Sequence, residues 1–76
     1  MTVKQVEMEL KSLGWSLRSI YHCYKYYWAV MAERDEDGEI ESADGTTRMM
    51  ALERLVVSAR QRNNIQKAVK ASEPKP

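Results

Sequence analysis

The chain has one cysteine, one histidine, three glycines and no phenylalanine in its 76 residues. A single cysteine, Cys23, cannot close an internal disulfide, and a chain without cysteine pairs is expected in a reducing cytoplasm. One His and one Cys fall short of the three or four ligands that zinc takes, so neither a metal nor a cofactor is expected. Gly14, Gly38 and Gly45 stand apart, and none belongs to a phosphate-cradling loop. No apolar run approaches the roughly 18 residues of a membrane helix. The opening MTVKQVEMEL does not read as a secretory leader. Nothing points to a membrane or to a small-molecule substrate. Without Phe, every large aromatic (Trp15, Tyr21, Tyr24, Tyr26, Tyr27 and Trp28) carries a polar handle, which suits a core half open to a partner.

Seventy-six residues make one domain at most, read here as a compact unit over 1–71 with a flexible tail over 72–76. A chain of this size buries only about 60–65% of its unfolded surface, so a few large side chains decide its stability. The net charge is +1, but it is unevenly spread. Residues 1–32 balance to +2. Residues 33–44 hold Glu33, Asp35, Glu36, Asp37, Glu39, Glu41 and Asp44 against one base and balance to −6, and residues 45–76 balance to +5. The plain interpretation is a solvated acidic hairpin beside a basic helix, each partly neutralising the other; the sharper one is a pair of patches for a charged partner.

Residues 2–12 have the pattern of an amphipathic helix, with Val3, Val6, Leu10 and Leu13 at helical spacing. Thr2 and Gln5 fit a capping box, and Gly14 is the natural stop. The next segment is ambiguous. Leu17, Ile20, Tyr24, Tyr27 and Met31 would make a helical stripe, which would give an all-α helical hairpin. As strands, Trp15, Leu17, Ser19 and Tyr21 share one face of a first strand, and Tyr26, Trp28, Val30 and Ala32 one face of a second. The concentration of Tyr, Trp, Val and Ile decides for strands. Asp35-Glu36-Asp37-Gly38 then makes a turn, and 39–43 a short charged edge strand. Asp44 to Thr47 leads into a helix N-cap. A second helix runs from about Thr47 to Arg62 with Met49, Leu52, Leu55, Val56 and Ala59 inward. Asn63-Asn64 is a fray or break, beyond which Ile65 to Ala71 can add two turns. The expected fold is therefore α+β, α-β-β-β-α, with a three-stranded antiparallel sheet against two helices.

His22 and Cys23 are adjacent, so in a strand they point to opposite faces, a poor geometry for a nucleophilic pair. Glu39 and Glu41 share a face but lack the apolar setting that tunes an acid–base pair, and the acidic turn lacks the ligand pattern of a calcium loop. No enzyme is expected. Tyr, Trp, Met and Arg are the residue types that anchor protein interfaces. A regulatory or inhibitory binding module is expected, holding a protein partner or a second copy. Its contacts would be Arg18, Tyr24, Tyr26 and Trp28, with Asp35, Glu36 and Asp37 as a charged rim. On this basis Trp28→Ala weakens binding more than stability. The alternative is RNA or single-stranded DNA, with Arg54, Arg60 and Arg62 on phosphates and exposed aromatics on bases.

The α-β-β-β-α order is also that of double-stranded-RNA-binding domains and of HicA-type mRNA interferase toxins. The segment LKSLGWSLRSIYH resembles the start of the toxin family, a helix ending in Leu-x-x-Gly-aromatic, then a strand and a His, which sets His22 near the family's catalytic His. The Gly-Ser that precedes that His is replaced here by Ile20-Tyr21. The resemblance spans about 20 residues, is one of element order, and carries over no catalytic role.

Overall fold

The computed structural model describes residues 2–24 and 27–72; the side chains of Tyr24 and of residues 69–72 lie outside what it describes. The element order is α1 (Val3–Ser12), β1 (Trp15–Tyr24), β2 (Tyr27–Arg34), β3 (Ile40–Gly45) and α2 (Arg48–Ser72). The strands form one antiparallel sheet in the order β1-β2-β3. This is a small α+β domain, and the helical hairpin is excluded by the pairing of β1 with β2 along its length.

The capping box forms. Thr2 N donates to Gln5 Oε1 at 2.6 Å and Gln5 N to Thr2 Oγ1 at 3.2 Å. Gly14 closes the helix at φ 85°, a left-handed conformation that favours glycine. Thr47 caps α2, its Oγ1 accepting from Met50 N at 3.1 Å. At the junction of β3 and α2 a Cβ on Gly45 would lie 2.9 Å from Ala51 N, so a glycine is what lets strand and helix approach so closely.

Both helices lie on one face of the sheet, α2 against β3 and β2 and α1 beside it over the β1 side. The core joins Val6 and Leu10 of α1, Trp15, Val30 and Ala32 of the sheet, and Ala51, Leu52, Leu55, Val56 and Ala59 of α2. Val3, Leu13, Leu17, Ile20, Trp28, Ala43 and Met49 pack around it, half-buried.

Three sequence expectations change. First, β1 does not keep one face. Its register with β2 shifts between Leu17 and Ser19 and again between His22 and Tyr24. An extra residue in a strand reverses the alternation beyond it. Trp15 and Leu17 face the helices, but after Arg18 it is Ile20 that packs on the core, and Ser19 and Tyr21 turn to the opposite face. Second, β3 is Ile40–Gly45, displaced from 39–43. Third, α2 neither frays nor breaks at Asn63-Asn64 but runs unbroken to Ser72, which takes in the first residue of the expected tail. Residues 73–76 of that tail lie outside the described residues.

The reason α2 continues is tertiary. Asn63 Oδ1 accepts the Trp15 indole N–H at 3.0 Å, and its Nδ2 donates to the Leu13 carbonyl at 2.8 Å. Trp15 is fully buried, so its N–H must find an acceptor inside the protein. One amide side chain thus ties the turn after α1 and the start of β1 to α2.

Asn63→Ala should therefore destabilise the domain by about 2–3 kcal/mol, because it strands a buried indole donor and a carbonyl together. Urea unfolding checks this. Asn63→Asp keeps the acceptor for Trp15 but sets a carboxylate oxygen against the Leu13 carbonyl, so it should not restore wild-type stability.

Candidate functional site

The acidic stretch and the basic helix meet in space. Arg62 Nη2 lies 2.7 Å from Glu39 Oε1, and its Nε lies 2.9 Å from Glu41 Oε2, a charge contact without hydrogen-bond alignment. Arg54 donates to the Asp44 carbonyl at 3.0 Å, with its guanidinium 4.0 Å from the Asp44 carboxylate. Arg60 pairs with Glu9 of α1. The three arginines considered for phosphates are thus each engaged with a carboxylate. Glu39, just before β3, and Glu41 within it both face the Arg62 guanidinium.

The turn residues are also used internally. Arg34 is only 9% exposed. Its guanidinium lies 5.4 Å from the Trp15 ring centroid and forks onto Asp37, Nε to Oδ1 at 2.9 Å and Nη2 to Oδ2 at 2.7 Å. Asp37 also accepts from Glu39 N at 3.1 Å. The Arg34 guanidinium, with that backbone bond, lowers the Asp37 carboxyl to about 2. Asp35 accepts from Ser16 Oγ at 2.6 Å. Glu36 borders a hollow of about 410 Å³ with Arg34, Asn63 and Lys67. Arg34 and Asn63 there are already committed to the fold. A hollow of about 510 Å³ beside Met8 is lined by residues of α1 alone, a shallow exposure along one helix.

Trp28 lies on the helix side of β2, half-buried against the core. His22, its partner across the pair, stacks on it at 4.4 Å between ring centroids and 13° between planes. Neither belongs to the open face. Cys23 is exposed and sits at the second register shift, away from the His22 stack. Tyr26 and the side chain of Tyr24 lie outside the described residues. Of the expected contacts, Arg18 is on the uncovered side, 3.3 Å from Glu33.

The face opposite the helices is a continuous surface. Tyr21 of β1, Tyr27, Ala29 and Met31 of β2, and Ile40, Ser42 and Asp44 of β3 line a hollow of about 350 Å³. Tyr21 is 43%, Tyr27 40% and Ile40 45% exposed. The Tyr21 hydroxyl donates to Met31 Sδ, and the Tyr27 hydroxyl to Asp44 Oδ2. Asp44 raises the Tyr27 phenol above its ordinary value, since the carboxylate accepts the proton's hydrogen bond and opposes a second negative charge. Both phenols are anchored at their tips, which leaves ring surface for contact.

The sequence signal for this face was partial. Alternation puts Tyr27 with Met31 and Trp28 with Val30 and Ala32. The second set is the one that lines the core, because a helix-covered face must be apolar throughout. Tyr21 was assigned to the Trp15 face, and only the shift at Arg18 brings it across.

Among the described residues, no group of three or more His, Cys, Asp and Glu side chains converges on a metal position. Nor is any helix there long and apolar enough to cross a membrane. No family model, curated protein or solved structure matches this chain, so the functional inference rests on its own residues.

Two outcomes follow from this geometry. Trp28→Ala should cost about 2 kcal/mol of stability, because the ring supports the end of the core; this reverses the weighting from sequence, and thermal unfolding decides it. The lowered Asp37 carboxyl ties stability to pH. The unfolded chain takes up this proton near 3.8 and the folded one near 2, so the Arg34 pair contributes fully above 3.8 and is lost as pH falls toward 2. The urea midpoint should drop over that interval, and Asp37→Asn should be less stable at neutral pH and flatter below it.

Proposed function

We propose that the chain is a small non-enzymatic binding module, cytoplasmic and regulatory or inhibitory in kind, that holds a protein partner or a second copy of itself on its open sheet face. The observation that carries this is the cluster of Tyr21, Tyr27, Met31 and Ile40 on the uncovered side of the sheet, around a small central residue, Ala29. Exposed aromatic and thioether side chains gathered on one face provide desolvated anchors. The rim charges, Arg18, Glu33 and Asp44, would set orientation and the rate of encounter. The β3 edge of the sheet is a weaker candidate. Charged side chains along β3 discourage a further strand, and Arg54 already occupies the Asp44 carbonyl. Nucleic-acid binding through Arg54, Arg60 and Arg62 would require Arg60 and Arg62 to leave carboxylates bonded to them and Arg54 to leave the Asp44 carbonyl.

The test combines light scattering at two salt concentrations, with and without pooled short RNA and DNA, and comparative capture with Met31→Lys and Ile40→Lys. Both positions are on the open face, so the variants should keep wild-type unfolding curves. They should abolish self-association, or any complex that the wild type forms. A salt-sensitive shift with nucleic acid that disappears when Arg54, Arg60 and Arg62 are replaced together by Ala would overturn the proposal.

A further inference from the structure

The open face has a chemistry more specific than apolarity. Ala29 is its floor. Tyr21 reaches across from β1 to Met31, and Tyr27 from β2 to Asp44 on β3. Each ring is held by its hydroxyl at one end, so it presents π surface without a free polar tip. The Asp44 carboxylate stands beside the Tyr27 ring with its side chain 55% exposed; the Arg54 guanidinium lies 4.0 Å from its Oδ1, beyond hydrogen-bond reach, so the carboxylate keeps room for a guest cation. A ring face is the negative pole of the aromatic quadrupole, and here it adjoins a fixed negative charge. That pairing is complementary to a guanidinium or ammonium group, which can lie over a ring while bonding a carboxylate.

Size argues against a second copy as the occupant. Three strands about 4.8 Å apart and on average about 26 Å long cover roughly 400 Å², about half of the roughly 800 Å² that a stable dimer buries on each partner. A short peptide segment fits this footprint. A phosphate backbone does not suit it, since Asp44 and Glu33 both stand on this face.

We infer that the hollow over Ala29 receives an arginine or lysine side chain of an extended basic peptide segment, stacked on Tyr27 and Tyr21 and hydrogen-bonded to Asp44. This rests on the protein-binding proposal above and names its partner's chemistry.

The experiment is an amide-resolved NMR titration of the full chain with acetyl-Gly-Arg-Gly-amide and its Lys counterpart, against acetyl-Gly-Glu-Gly-amide and oligothymidylate. The basic peptides should give saturable shifts centred on Ala29, Met31 and Asp44, and the other two should give none there. Asp44→Asn should weaken binding about tenfold, as loss of a hydrogen bond to a charged group does. Tyr27→Leu should weaken it about threefold, and Tyr27→Phe, which keeps the ring, should bind close to wild type. Absence of saturable shifts on this face with either basic peptide, or equal shifts with the Glu peptide, would overturn the inference, and a response to oligothymidylate there would replace it with base stacking. If a complex is lost in Met31→Lys but unchanged in Asp44→Asn, the face binds protein without a basic anchor and only this inference falls. If neither substitution changes it, the face itself is not the interface.

Discussion

The indole of Trp15 is the point on which the fold turns. It is the largest fully buried side chain, and it carries one polar group that has to be satisfied out of reach of water. Asn63 meets that need and at the same time bonds the carbonyl of Leu13. Arg34 lies over the ring and is held by Asp37. A buried guanidinium is costly unless it is paired and hydrogen-bonded, and here the pair is a fork on a carboxylate whose turn is itself closed by Gly38 N donating to Arg34 O at 2.8 Å. One cluster thus joins the end of α1, the first residue of β1, the last of β2, the turn before β3 and the third quarter of α2. A domain this small has few apolar side chains to spare, and a directional network at one end compensates for a thin core.

That network explains the charge distribution. Seven acids in twelve residues look like a surface for a basic partner. In the folded chain Asp37 serves Arg34, Asp35 serves Ser16, Glu33 serves Arg18, and Glu39 and Glu41 serve Arg62. Exposed pairs of this kind contribute little stability singly, but opposite blocks of charge on β3 and α2 favour the native register over shifted ones. The segregation along the sequence therefore directs the chain back on itself. Asp44, at the far end of β3, is the acid of this stretch that also stands among the exposed aromatics.

Element order was legible in the sequence, and so were the capping box at Thr2, the stop at Gly14, the N-cap at Thr47 and the inward stripes of both helices. These are local signals, each contained within a few residues. The bulge at Arg18 was not legible, because nothing in WSLRSIYH marks an extra residue; the shift is imposed by pairing with β2 and by the need to bury both Leu17 and Ile20. The continuity of α2 through Asn63-Asn64 was hidden for a related reason. Asn has low helix propensity, and its two side-chain bonds are made to residues some 50 positions away. The open face differs accordingly from the one that alternation alone suggests. Trp28 is the more apolar ring and was assigned to the interface, yet on β2 the apolar alternation Trp28, Val30, Ala32 is what the helices cover.

The same alternation determines what remains outside. Once Trp28, Val30 and Ala32 are inward, Tyr27, Ala29 and Met31 must be outward, and the bulge in β1 adds Tyr21 to them. A two-layer domain with both helices on one side leaves the other side of its sheet without a covering layer. Antiparallel sheets usually manage this with polar residues on the wet face. Here Ser16, Ser19, Ser42 and the Arg18–Glu33 pair follow that pattern, but the middle of the face carries two tyrosines, a methionine and Ile40 instead. Neither the core nor the ion-pair network requires large side chains there, and a serine at each position would leave every contact described for the core in place. Tyrosine and isoleucine also favour the strand and pair across it, but four large side chains left uncovered together offer contact area that the paired arginines and the acidic turn do not.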